Sequence, residues 1–267
     1  MEADPHRGGA QPGQFVKAYR QRLLPFALSL AILLTWQFLS AQNLLDNFFF
    51  PSPRQVLTTL LQMVLSGELG VALFATLGRV LFGFALGSVA GVMAGLLMGE
   101  SLFLRTLFDP LVAAVYPIPK IALFPVFVLF LGIGEQSKVA IIALAVFFLA
   151  LINTMAGVRN ISPLYFDVAR NYGANRWQIF RRVVLPGSLP MVFTGLRLAL
   201  GMALLMAVAV ELVTARKGLG ALLWISWETM RTDKLYATLV AVSAAGWSLN
   251  LGLAFLERWA IPWREAR

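Results

Sequence analysis

The sequence predicts an all-α integral membrane protein with about six transmembrane helices, and three observations predict it. Of 267 residues, 59% are hydrophobic and only 13% are charged, and the mean hydropathy is +0.76. A soluble domain is about half apolar and about a quarter charged. Six apolar runs, near 23–40, 72–98, 109–131, 138–157, 191–213 and 236–257, approach the roughly 20 residues a helix needs to cross the hydrocarbon. With the N-terminus inside, Lys and Arg then fall on cytoplasmic pieces over outside pieces by about two to one, the bias that orients membrane proteins. The net charge of +9 is explained by that bias, and no nucleic-acid partner is expected.

Residues 1–14 (MEADPHRGGAQPGQ) are polar and rich in Gly and Pro, which predicts a disordered cytoplasmic tail. Residues 15–70 form the next unit. Lys17, Arg20 and Arg22 precede the first apolar run, as in a secretory signal, but the run is long for a signal core. Ser40-Ala41-Gln42 is also a poor cleavage site, so the run is read as an uncleaved first span. The following segment, about 41–70, is too polar to span. Its stretch PSPRQVLTTLLQMVLSGELG predicts a short amphipathic helix after Pro53, lying on the outer membrane surface.

Residues 71–263 form the core. The second span carries Gly83, Gly87, Gly91, Gly95 and Gly99 at every fourth position, which stacks them on one helix face where a second backbone can approach closely. The third contains Pro117, Pro119 and Pro125, so it is predicted to be broken. Broken backbone at membrane depth is tolerated only where protein or a water-filled cavity covers it. Four ionisable residues sit within or at the edges of spans: Arg79, Lys120, Arg197 and Glu211. Such residues usually face a bundle interior or an aqueous path. Arg79 and Glu211 lie near helix ends, where snorkelling is the simple expectation. Lys120, Arg197 and Glu211 are the candidates for a translocation path.

Between the fourth and fifth spans, about 158–190, the chain turns polar and basic, and Phe166–Pro190 reads FDVARNYGANRWQIFRRVVLPGSLP. Ser162-Pro163 predicts a helix start with Pro at its first position. Asp167 is placed in the first turn, where the helix dipole favours an acid. Gly173 predicts a turn between two short helices. The second of these is amphipathic, with Arg181 and Arg182 on its wet side, and Leu185-Pro186 is read as its stop. An ordered amphipathic pair in this position has the shape of a docking element.

Catalysis fits poorly. There is no cysteine, the one histidine (His6) lies in the tail, and no GxSxG, HExxH or carboxylate cluster at membrane depth occurs. A GxxxxGK[ST] phosphate loop is also absent, so energy for active transport must come from an ion gradient or a partner. A gradient-driven transporter usually shows two matching halves with paired broken helices, and no such repeat is seen.

The pattern D-V-A-x-x-x-G-x(9)-V-x-L-P, from Asp167 to Pro186, resembles the cytoplasmic EAA loop of ABC importer permeases. Asp167 stands where that family usually has Glu, Val168 where it has Ala, and Val183 where it has Ile; Ala169 and Gly173 match. YPIPKIALFPVFVLFLGIGE (Tyr116–Glu135), INTMAGVRNI (Ile152–Ile161), GLRLALG (Gly195–Gly201) and KGLGALL (Lys217–Leu223) are similar to the nitrate/sulfonate/taurine branch.

The resemblance implies a type I ABC importer (MetI-like) permease fold, a five-helix core preceded by one extra helix, in a bacterial inner membrane with both termini cytoplasmic. It implies a non-enzymatic subunit that pairs with a second copy. Two ATPase subunits would use ATP and Mg, an extracytoplasmic binding protein would deliver solute, and this chain would hold no cofactor or metal. The ATPase contact would fall on Asp167, Val168, Ala169, Arg170, Asn171, Gly173, Ala174, Asn175 and Arg176, with Leu185 and Pro186 completing the motif. The solute would be a small anion such as nitrate, taurine or another alkanesulfonate, or bicarbonate. A neutral or heterocyclic nutrient is the alternative within the family.

Overall fold

A computed structural model describes residues 12–214 and 216–263, all helices and connections. The tail expected over residues 1–14 lies outside the described residues as far as residue 11, and helix α1 already begins at Pro12. In chain order the helices are α1 (Pro12–Ala41), α2 (Pro53–Leu65), α3 (Glu68–Glu100), α4 (Leu102–Val115), α5 (Phe124–Leu131) and α6 (Glu135–Arg159). There follow α7 (Pro163–Asn171), α8 (Arg176–Ile179), α9 (Leu185–Thr214), α10 (Leu219–Glu228) and α11 (Thr232–Ala260).

Among the described residues, four stretches are long and apolar enough to cross a membrane: α3, α6, Arg176–Thr214 and α11. The pair α4 and α5 makes a fifth span, bent by 92°. The first expected span falls in α1, whose apolar stretch among the described residues is the shorter Ala27–Ala41. The bend follows from chemistry. Pro117 and Pro119 cannot donate to a helical ladder, so α4 stops at Val115 and a 3₁₀ turn, Lys120–Leu123, restarts the chain. The Lys120 ammonium caps the freed carbonyls of Val115 (3.1 Å), Tyr116 (2.6 Å) and Ile118 (2.8 Å).

The bundle is organised by α3 lying on α6. Gly83 faces Ile142, Gly87 faces Ala143 and Val146, Gly91 faces Phe147 and Ala150, Gly95 faces Leu151 and Thr154, and Gly99 faces Val158. A methyl group at Gly91 would sit 2.5 Å from the Phe147 carbonyl oxygen, so the two backbones are in contact. Helix α9 closes the other side of α6, with Gly195 against Asn153 and Gly157 against Met191. Val80, Ile141, Ile142, Val146, Ala203 and Val210 form the fully buried centre of these three helices.

Helix α2 starts as the sequence predicts, with Ser52 as N-cap accepting from the Gln55 N–H and Pro53 at the first position. One face of it packs on protein, a contact the sequence did not predict. Val56, Thr59 and Met63 are buried in a second core shared with Leu69, Leu219 and Ala237, so α2 packs on the bundle against α11. The Thr59 hydroxyl donates to Asp233 at 3.0 Å, a bond that ties α2 to the start of α11.

Because the α3–α6 seam has no room for side chains, Gly91→Leu is expected to lower the detergent melting temperature by about 5 °C or more, or to prevent accumulation. Gly70→Ala, in the same helix with open space around it, is expected to leave the melting temperature unchanged or slightly raised.

Candidate functional site

The segment expected to couple to a partner is ordered and projects from one end of the bundle. Pro163 occupies the first position of α7 after the N-cap Ser162. Asp167 falls in the second turn rather than the first, so the dipole is not its partner; its carboxylate lies 3.8 Å from Arg170, one turn on. The end of α7 is set by Gly173, whose φ of +73° only glycine adopts freely. The Ala174 N–H donates to the Ala169 carbonyl and the Gly173 N–H to the Arg170 carbonyl, so the last turn is closed by backbone alone.

Asn175 then starts α8 with a reciprocal cap. Its side chain accepts from the Gln178 N–H at 2.9 Å, and the Gln178 side chain accepts from the Asn175 N–H at 2.8 Å. Sequence reasoning missed this pair, although N-x-x-Q at a helix start is a legible signal. Leu164, Tyr165, Val168, Tyr172 and Trp177 are all exposed, so the loop offers an apolar surface framed by Arg170 and Arg176.

The expected stop at Leu185-Pro186 does not occur. Arg176–Thr214 is one continuous helical path of 39 residues. Pro186 has no N–H, and its ring would collide with the Arg182 carbonyl in a regular α-helix. The chain widens into a π-turn over Phe180–Val184, in which the Leu185 N–H donates to the Phe180 carbonyl, and the proline is absorbed.

At the opposite end lies a charged cluster, buried except for Glu135. Arg79, only 6% exposed, donates to Glu211 through Nη1 at 2.5 Å and grips Glu135 with Nε at 2.5 Å and Nη2 at 2.7 Å. Lys138 adds a second cation 3.2 Å from Glu135. Glu211 has no exposed surface, and its carboxylate also accepts from the Thr76 hydroxyl and the Gly220 N–H at 2.9 Å. The Thr76 oxygen accepts in turn from the Leu219 N–H, and the Lys217 carbonyl accepts from Arg79, each at 2.8 Å. Gly218, at φ +134°, leaves the space that the Glu211 carboxylate fills. The KGLG stretch is thus the cradle of a buried ion pair.

Arg79 and Glu211 therefore do not snorkel: their charges meet inside the bundle. Of the three path candidates, Glu211 makes internal bonds throughout and Lys120 caps the broken span. Arg197, half-exposed, pairs with Glu257 at 2.5 Å on α11. The structure does not bring these three together. Among the described residues no group of three or more His, Cys, Asp or Glu side chains that could hold a metal is found.

Comparison with known proteins decides the family. Residues 87–265, which contain the loop and most of the glycine stripe, match the family described as binding-protein-dependent transport system inner membrane component. The chain belongs to this family. The permease is 35% identical to the taurine transport system permease protein TauC of Escherichia coli K12, over 88% of each chain. It is 32% identical to the putative aliphatic sulfonates transport permease protein SsuC of Bacillus subtilis, over 96% of this chain and 92% of that one. To the nitrate import permease protein NrtB of Synechocystis it is 29% identical, over 91% of each.

The MetNI methionine ABC transporter in an inward-facing crystal form shares its fold, with a TM-score of 0.62 over 71% of this chain and 94% of that one, at 19% identity. The permease is a multi-pass inner-membrane transport subunit of the nitrate/sulfonate/taurine branch.

Removing one member of a buried, bonded ion pair strands the other charge, at a cost of about 3–5 kcal/mol. Glu211→Ala is therefore expected to destabilise the permease strongly in detergent unfolding. Asp167→Ala, at an exposed pair, is expected to leave the unfolding curve unmoved.

Proposed function

We propose that this permease is the membrane-spanning half of an ATP-driven importer and that its Asp167–Arg176 loop docks a separate P-loop ATPase. The observation that carries the reading is the loop itself. A segment with exposed Val168, Tyr172 and Trp177, held rigid by a glycine turn and a reciprocal cap, is built to be covered. Arg170 and Arg176 stand beside this surface as partners for acidic groups on the ATPase. Docked at α8, an ATPase acts on α9 directly, since the backbone runs unbroken from Arg176 into the bundle.

The whole assembly on this reading is two copies of the permease, two ATPase subunits that bind ATP and Mg, and an extracytoplasmic binding protein that brings the solute. The charge bias supports a cytoplasmic position for the loop and both termini. The names of the relatives support a small anion as the solute, with taurine, other alkanesulfonates and nitrate as the class. Lys120 and Arg197 are the cations we assign to the path.

The test is a pull-down of the tagged permease from its native membranes in mild detergent, read by mass spectrometry, beside Gly173→Arg. The substitution places a side chain at a φ that disfavours it and at the centre of the proposed contact. A P-loop ATPase is expected with the wild type and is expected to fall at least tenfold in the variant. Equal partners in both samples would sink the docking reading.

A further inference from the structure

At the loop end the apolar parts of three helices stop at one level. Arg159 closes α6, Gly187 precedes the membrane part of α9, and α11 ends at Ala260 with Trp263 just beyond. Between these ends and the start of α7 lies a cavity of about 460 Å³. Its lining residues include Asn160, Ser162, Tyr165, Arg182, Gly187 and Trp263. It lies where the start of α7 meets the turns that lead into α9.

Charge sets what fits there. Arg159, Arg181 and Arg182 have no acidic partner among the described residues. Asp167 is the one acid in 158–190, and it faces Arg170. Of the three, Arg182 lines the cavity, and its charge favours an anionic occupant. Depth sets the rest. Tyr165 and Trp263 line the cavity, and the 82% exposed Trp259 lies just before Trp263 in the chain; such aromatic side chains are common where hydrocarbon meets water. Basic pockets between spanning helices at that level suit anionic headgroups.

We propose that this cavity binds the headgroup of one anionic phospholipid. The planar guanidinium of Arg182 takes two phosphate oxygens, and the Asn160, Ser162 and Tyr165 side chains take the hydroxyl and ester oxygens beyond it. The lipid would then bridge α6, α7, α9 and the end of α11 at the root of the loop. Binding here is tested independently of whether an ATPase docks on the loop.

The test uses the full-length chain in neutral detergent, titrated with phosphatidylglycerol, phosphatidylcholine or inorganic phosphate and read by native mass spectrometry. One phosphatidylglycerol is expected to be retained over phosphatidylcholine, about fivefold more weakly in Arg182→Gln. Retention is expected to be unchanged in Arg54→Gln, an exposed arginine at the opposite end. Photoactivatable phosphatidylglycerol on the wild type needs no variant, and its label is expected on residues 160–165, 182–187 or 263. Equal retention of the two lipids, equal loss in both variants, no loss in Arg182→Gln or labelling elsewhere would each overturn the proposal. Displacement by millimolar inorganic phosphate would also overturn it, by making the ligand a free phosphoryl anion.

Discussion

The rest of the permease depends on the close approach of α3 to α6. Two helices in lipid gain little from hiding apolar side chains, because lipid tails are as apolar as leucine. What holds them is dense contact, and the five glycines from Gly83 to Gly99 supply it by letting one backbone rest on the other along a continuous seam. Helix α9 repeats the device on a smaller scale through Gly157 and Gly195, so three helices form one block. The bent third span, α10 and α11 attach to that block.

A block built on dispersion alone would be free to slide along its seams. The Arg79 cluster fixes its far end. Charges at this depth persist only if they are paired and fully bonded. Here Thr76 and Arg79 from α3, Glu135 and Lys138 from α6 and Glu211 from α9 satisfy one another, and the backbone of the 217–220 turn takes the remaining bonds. The same cluster sets the start of α10, because Leu219 and Gly220 bond through it.

The other end is built on one long helical element. Proline at 186 would ordinarily break or hinge a helix, yet with the π-turn before it the helical path continues from Arg176 to Thr214, past a second proline at Pro190. Such a path is about 58 Å long, against a hydrocarbon thickness of about 30 Å, so a substantial part of it projects beyond the membrane. On the proposed reading this makes α8 the handle of a lever whose other end is Glu211.

The sequence by itself determined the helical membrane class, the break at Pro117 and Pro119, the glycine seam and the turn at Gly173, and its loop motif pointed to the family. Each of these follows from local chemistry: apolar length, a missing N–H, a missing side chain, a positive φ. The tertiary structure alone decided what each seam and charge meets. Arg79 and Glu211 are 132 residues apart in the chain, and nothing local distinguishes a snorkelling charge from half of a buried pair. The same holds for α2, whose amphipathic pattern fits a lipid surface and a protein groove equally. Pro186 reads as a stop only because a π-turn, formed by one extra residue in the ladder, has no signature in local propensity. Contacts between distant segments, and the backbone adjustments that permit them, are properties of the packed bundle.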